Sequence, residues 1–127
     1  MPIYSYNSFS SGHSEIIKIT GVNANGDLDL KDAGDHPAIT FKVKAGKTIN
    51  WMVNTPDVQN IDSIYKKPTT SSDIIFKTGP SRIGNSKNWT ATVDSAATPG
   101  QFEDYNIDWT DKDGNKHTFD PRIQVKS

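Results

Sequence analysis

The sequence predicts an all-β domain, an antiparallel Greek-key β-sandwich, on three observations. Ile outnumbers Leu 13 to 2 and Thr is plentiful, a bias toward β-branched side chains that suits a pleated sheet better than a helix. Apolar residues recur with a period of two in short stretches: Ile39/Phe41/Val43, Ile49/Trp51/Val53, Trp89/Ala91/Val93 and Tyr105/Ile107/Trp109. Turn residues separate these stretches, as they do in sandwiches and barrels.

Taken in order, residues 1–14 are rich in Ser, Tyr and Asn and read as an edge strand or an arm. Glu15 to Val22 is a strand, Asn23-Ala24-Asn25-Gly26 a turn, and Asp27 to Lys31 alternates cleanly. Asn-Gly between two alternating runs predicts a hairpin, placed here as an N-terminal extension of the sandwich. Lys31 to Pro37 is a polar loop. Two strands then flank Ala45-Gly46-Lys47. Their alternation predicts that Ile39, Phe41, Val43, Ile49, Trp51 and Val53 share one buried sheet face, with Thr40, Lys42, Lys44 and Asn50 toward water. Residues 54–88 form a long, mostly polar connection, in which Pro56, Pro68 and Pro80 limit any helix to a turn. Trp89 to Val93 is a strand, and Ala96 to Gly100 a corner. Tyr105, Ile107 and Trp109 face inward on the next strand, Asp111 to Asn115 turns the chain, and Lys116 to Phe119 pairs back. Arg122 to Val125 is the last strand. No internal repeat or linker interrupts the chain, so residues 1–127 are expected to be one domain.

Composition excludes several functions. Apolar residues make up 33% of the chain and mean hydropathy is -0.65, so no stretch approaches the roughly 20 apolar residues of a transmembrane helix. With 14 basic against 15 acidic residues, there is no field to steer nucleic acid. The absence of cysteine removes disulfides, thiol catalysis and Cys-based metal sites. The first residues lack a basic region followed by an apolar one and do not read as a signal peptide. The expected location is therefore periplasmic or extracellular if a leader has been removed, and cytoplasmic otherwise.

The segment Ala38-Ile39-Thr40-Phe41-Lys42-Val43-Lys44-Ala45-Gly46-Lys47-Thr48-Ile49-Asn50-Trp51 resembles the start of a cupredoxin domain of the plastocyanin or azurin type. That family reads strand, Lys-Ala-Gly or Lys-Pro-Gly, Asp or Lys, Thr, then a strand carrying Trp. Pro99-Gly100-Gln101-Phe102 followed by Tyr105-Asn106-Ile107 is similar to the family's Pro-Gly-x-Tyr-x-Tyr-x-Cys approach to copper, and Ile123-Gln124-Val125 to its last strand. The resemblance covers roughly residues 38–126 and implies a cupredoxin-like fold. Its copper chemistry does not carry over. A blue-copper centre needs two His nitrogens and a Cys thiolate. Here Gln59 stands where the resemblance places the first His, and Ile107 where it places the Cys. His117 has no Cys before it and no Met after it. No cofactor is expected.

Other motifs have simpler readings. His13, His36 and His117 show no ligand spacing and read as solvated loop residues; with Asp35 or Asp120, two of them would be the material for a non-blue metal site. Asp111-Lys112-Asp113-Gly114-Asn115 and Asn23 to Asp29 resemble calcium loops, but position twelve is Arg122 or Gly34 rather than the required Glu. Turn chemistry explains both. Ser63-Ile64-Tyr65-Lys66 and Lys77-Thr78-Gly79 match fragments of penicillin-recognising enzymes without the Ser-Asp-Asn element or a long helix. Glu103 and Asp104, adjacent on a strand, point to opposite faces and cannot flank one bond. Asn88-Trp89-Thr90 is a formal glycosylation sequon.

The expected function is thus a non-enzymatic binding or structural module. Loops on rigid sandwiches carry recognition, so the 54–88 connection is the expected site, with Tyr65, Arg82, Gln59 and Asn60 as binding residues and a protein or glycan as partner. The second expectation is a metal-binding protein, either a calcium-dependent lectin-like module or a His-based carrier, using His117, His36, Asp111 and Asp113.

Overall fold

The computed structural model describes residues 14–68 and 72–127. The described chain forms ten strands and no helix: β1 (Ser14–Val22), β2 (Leu28–Lys31), β3 (Thr40–Lys44), β4 (Thr48–Val53), β5 (Val58–Lys66), β6 (Phe76–Arg82), β7 (Trp89–Val93), β8 (Phe102–Asp111), β9 (Lys116–Phe119) and β10 (Arg122–Lys126). They build two five-stranded sheets. One has the order β2-β1-β4-β7-β6; the other runs β3-β10-β8-β5, with β9 also paired to β8. Of the edge strand or arm expected over residues 1–14, residues 1–13, with Tyr4, Tyr6, Phe9 and His13, lie outside the described residues.

The all-β class agrees with the sequence, but the sheets are mixed rather than antiparallel. β1 runs parallel to β4, from Ser14↔Thr48 to Ile19↔Val53, and β3 parallel to β10, from Thr40↔Arg122 to Lys126↔Lys44. The chain passes from one sheet to the other at Ala45-Gly46-Lys47. Gly46 turns the chain with a positive φ of 84°, and β3 and β4 then enter different sheets instead of pairing as a hairpin. Phe41 and Val43 therefore face Ile49 and Trp51 from the opposite layer rather than sharing their face. Ile39 precedes the first residue of β3 and is 55% exposed. Asn50, expected in water, is buried on the central strand between Ile16 of β1 and Thr90 of β7.

The predicted hairpin forms. Asn23 Oδ1 accepts from the backbone N–H groups of Asn25 and Asp27, at 2.9 and 3.1 Å, the local bonding that favours Asn in turns. It is no appendage, however. β1 and β2 are one side of the first sheet, and Ile17, Ile19, Leu28 and Leu30 belong to the common core.

All three tryptophans are buried, as their phase predicts. Trp51 Nε1 donates to the Tyr105 hydroxyl at 3.1 Å, joining the sheets through the middle of the sandwich, and the two rings meet edge to face at 5.7 Å. Pairing a polar handle with such a large apolar ring is how buried Trp and Tyr escape an unsatisfied N–H or O–H. Trp89 Nε1 donates across the layers to the Ile61 carbonyl at 3.3 Å.

Residues 54–88 depart most from expectation. They contain two strands, β5 and β6, one at the edge of each sheet. β5 escapes an alternation search because its apolar residues Val58, Ile61 and Ile64 recur every third residue. The cause is two register shifts against β8, between Val58 and Asn60 and between Ile61 and Ser63. A bulge opposes two residues to one, so each inward side chain is followed by two outward ones. β6 escapes because its residues are mostly exposed and include Gly79 and Pro80. Pro is tolerated in a sheet at such an edge.

Candidate functional site

The bulges of β5 determine what the outer face of the second sheet presents. Gln59, Asn60, Asp62 and Ser63 occupy outward positions, four where regular alternation from Val58 to Ile64 would place three, and Tyr65 follows. Opposite them, β8 turns Asn106, Asp108 and Thr110 outward because Tyr105, Ile107 and Trp109 fill the core. β9 contributes Lys116, paired with Thr110, and Thr118, paired with Asp108.

These side chains form two hydrogen-bonded rows. In the first, Asn60 Nδ2 donates to Asp62 Oδ1 and Thr110 Oγ1 to Asp62 Oδ2, both at 2.7 Å. Lys116 Nζ donates to Thr110 Oγ1 at 3.0 Å and lies 3.7 Å from Asp62. Burial alone would push the Asp62 carboxyl up, but the bonds from Thr110 and Asn60 and the Lys116 ammonium outweigh it and hold it below the usual carboxylate range. In the second row, Asp108 Oδ1 accepts from Thr118 Oγ1 at 2.7 Å and from the Tyr65 hydroxyl at 3.2 Å. Asn106 Nδ2 reaches the same hydroxyl at 3.5 Å, while Asn106 Oδ1 is buried with no hydrogen-bond partner among the described residues.

The surface above the rows is concave. One cleft of about 480 Å³ is lined by Asp62, Asp108, Lys116, His117 and Thr118. A second of similar volume is lined by Gln59, Asn60, Asp62, Thr110, Gly114 and Lys116. Asp62 and Lys116 belong to both, so the clefts are neighbours on one surface.

The expected binding residues divide accordingly. Gln59, Asn60 and Tyr65 lie on or beside this face. Arg82 does not extend into it. From β6 its Nη2 donates to the Ile61 carbonyl at 2.7 Å, and its Nη1 to Asn60 Oδ1 at 3.0 Å and the Ser86 carbonyl at 3.1 Å. Its guanidinium also covers the Trp89 ring at 5.2 Å. Arg82 thereby fastens β6 of one sheet to β5 of the other.

The metal-ligand candidates are dispersed. His36 lies in the 32–37 loop beside Asp32, 3.3 Å away, whereas His117 lies on β9. His117 is no solvated loop residue: its ring stacks on Trp109 at 4.4 Å, and its Nε2 is 2.8 Å from Asp111 Oδ2. Asp111 Oδ1 accepts from the N–H groups of Asp113 and Asn115, both at 2.9 Å. The His117 contact first, and then the Asn115 N–H, hold the Asp111 carboxyl down at about 2. Asp111 thus organises the β8–β9 turn with both oxygens, while Asp113 sits exposed at its tip. Among the described residues no group of three or more His, Cys, Asp or Glu side chains is placed to hold a metal ion.

The two positions that the resemblance equates with copper ligands are also apart. Gln59 is exposed at the start of β5, whereas Ile107 is buried opposite Ile64. Glu103 and Asp104 face opposite ways, as adjacency on a strand requires. Glu103 is buried, accepts from Ile75 N–H at 2.9 Å and is pushed up by burial; Asp104 binds Arg122 at 2.7 Å. Asn88, of the sequon, uses its Oδ1 to accept from Val53 N–H at 2.8 Å.

Sequence reasoning missed Asp62, Asn106, Asp108, Lys116 and Thr118 as site residues. A period of three in Val58/Ile61/Ile64 was the available signal for a bulged strand, and the outward phase of 106–110 was the signal for its partner. No model of a known protein family matches the chain, and no curated protein does.

Proposed function

We propose that this protein is a non-enzymatic, copper-free binding module on a cupredoxin-like, Greek-key sandwich, and that it recognises its ligand on the outer face of β5, β8 and β9. The segments that resemble cupredoxins lie in order on β3, β4, β8 and β10, which supports that scaffold. The observation that carries the binding face is the raised outward density of polar side chains on bulged β5, two residues in three instead of one in two, opposite an equally polar stretch of β8 and β9. Bulges recur where a side chain is re-aimed for function. Two features favour binding over catalysis. Asp62 is held ionised within hydrogen bonds, and Glu103, the carboxyl that is pushed up, is buried against backbone N–H groups and lines neither of the two polar clefts.

Printed arrays of glycans, peptides and lipids, probed with the wild type, Asp108→Ala, Lys116→Ala and the control Lys42→Ala on exposed β3, test the location. Ligand retained by Lys42→Ala and lost by at least about tenfold in the two face variants is expected, since a hydrogen bond to a charged group is worth about that much. A ligand held equally by all four proteins refutes it.

A further inference from the structure

We infer that the ligand of this face is a neutral oligosaccharide, lying along β5, β8 and β9 with hydroxyl groups on the two polar rows and a C–H face against Tyr65; the inference rests on the binding face proposed above. Three observations carry it.

The first is preorganisation. A hydroxyl-rich ligand offers many weak donors and acceptors, so it is captured only by side chains already held in place, whose ordering cost was met on folding. Asp62 is held on both oxygens by Asn60 and Thr110, and Asp108 on one oxygen by Tyr65 and Thr118. Among the described residues Asp108 Oδ2 accepts no hydrogen bond, and it lies on the cleft with the 75%-exposed Lys116 side chain. The face therefore combines a charged acceptor with an exposed ammonium donor anchored on Thr110, the pair that a vicinal diol satisfies.

The second is charge. Among the described residues that line these two clefts, Lys116 is the one Lys or Arg against the carboxylates Asp62 and Asp108, and His117 is engaged by Asp111, so a phosphate or sulfate polymer meets net repulsion. The partly satisfied carboxylates, and the absence among the described residues of three clustered His, Cys, Asp or Glu side chains, equally disfavour a metal as the primary ligand.

The third is the distribution of apolar surface. Protein interfaces are anchored by large apolar or aromatic side chains at the centre. Among the described residues the large exposed apolar ones are Ile39, Ile74 and Ile83, and none lines the two polar clefts. Tyr65 is the exception in character. Its hydroxyl ends the polar row, while the residue also lines an adjoining cleft of about 380 Å³ with Ile64, Ile74, Phe76 and Pro80, together with Lys66 and Glu103. A surface that passes from polar rows to an aromatic step matches a sugar, which carries hydroxyls on its rim and C–H bonds on its face. From Thr110 to Asn106 the rows span about 14 Å at the rise of a β-strand, room for a short oligosaccharide.

The test is titration of the whole ¹⁵N-labelled chain with cellohexaose, xylohexaose and maltohexaose, with a heparin hexasaccharide and a lysine-rich peptide as comparison probes. At least one neutral hexasaccharide is expected to shift amide signals of β5, β8 and β9. Its Kd should weaken by about tenfold or more in Asp108→Asn and in Tyr65→Ala, while Tyr65→Phe separates loss of the hydroxyl from loss of the ring. Melting curves confirm that each variant is folded. If the neutral sugars leave the spectrum unchanged, the inference is overturned, and shifts on this face with heparin or the peptide then leave the face itself standing. Sugar-induced shifts confined to another surface overturn both.

Discussion

Arg82 was singled out from the sequence as a recognition residue, yet its environment makes it a fastening between the sheets, and that difference is measurable. Replacing Arg82 by Ala removes three hydrogen bonds, to Asn60, Ser86 and Ile61, and the contact over Trp89. Each bond contributes about 1 kcal/mol net; charged donors reach higher, but Arg82 is only half-buried, so the low end applies. The total is about 3 kcal/mol, with the ring contact adding a few tenths at a partly exposed site. Near 60 °C the unfolding entropy of a domain this size is about 0.27 kcal/mol/K, which makes about 3 kcal/mol a fall of about 11 °C in Tm. Differential scanning calorimetry reads this directly. Arg82→Lys, which keeps the charge but cannot reach three acceptors in one plane, should fall between Ala and wild type. The cycle of Asn60→Ala with Arg82→Ala should show a coupling of about 1 kcal/mol. An Arg82→Ala protein melting within about 2 °C of wild type refutes the fastening role. Ligand binding lost in this variant alone says nothing of contact, which is why the face is tested at Asp108, Lys116 and Tyr65.

The remaining predictions concern the core, one turn and one tight approach. Gly79 has a φ of 80°, and a Cβ there would lie 2.7 Å from the Thr90 carbonyl oxygen; Gly79→Ala should cost at least about 2 kcal/mol. Gly26→Ala, with φ 84° and open space around the Cβ, should cost only about 1 kcal/mol, and paired urea melts isolate the clash as the difference. Tyr105→Phe strands the buried Trp51 N–H and should cost about 1–3 kcal/mol in the same melts. Burial pushes the Tyr105 hydroxyl well above its ordinary value of 10.0; the stabilisation this gives is complete below that value and lost as pH rises through the folded-state value, so in an alkaline ultraviolet titration Tyr105 should ionise last, together with unfolding. For Asp111, lowered from 3.8 to about 2, the sign is opposite: its contribution is present above pH 3.8 and lost as pH falls toward 2. Melting temperatures of wild type and Asp111→Asn should therefore converge between pH 4 and 2, and a constant gap through that window argues against the His117 pairing.

Local patterning determined much of this protein by itself. Period-two alternation located β3, β4, β7 and β8 and placed the three tryptophans in the core, because one face of a strand must be dry. Asn-Gly and Asp-Gly-Asn located the turns of β1–β2 and β8–β9, because the φ values and side-chain bonds of those turns are properties of the residues themselves. Which strands pair was not local. Consecutive β3 and β4 lie in opposite layers, where they pair parallel with β10 and β1, and nothing in the alternation of either strand distinguishes that from a hairpin. β5 was hidden because its bulges exist only against β8: a register shift is a relation between two strands, and in one strand it leaves a period of three. The binding face shares that origin. Asn60 and Tyr65 were visible as polar and aromatic residues in a long polar stretch, but Asp62, Asp108 and Lys116 became neighbours only when pairing brought β5, β8 and β9 together. Arg82 shows the converse, since its charge and position suggested a partner in solution and the packing of the two sheets supplied one within the chain.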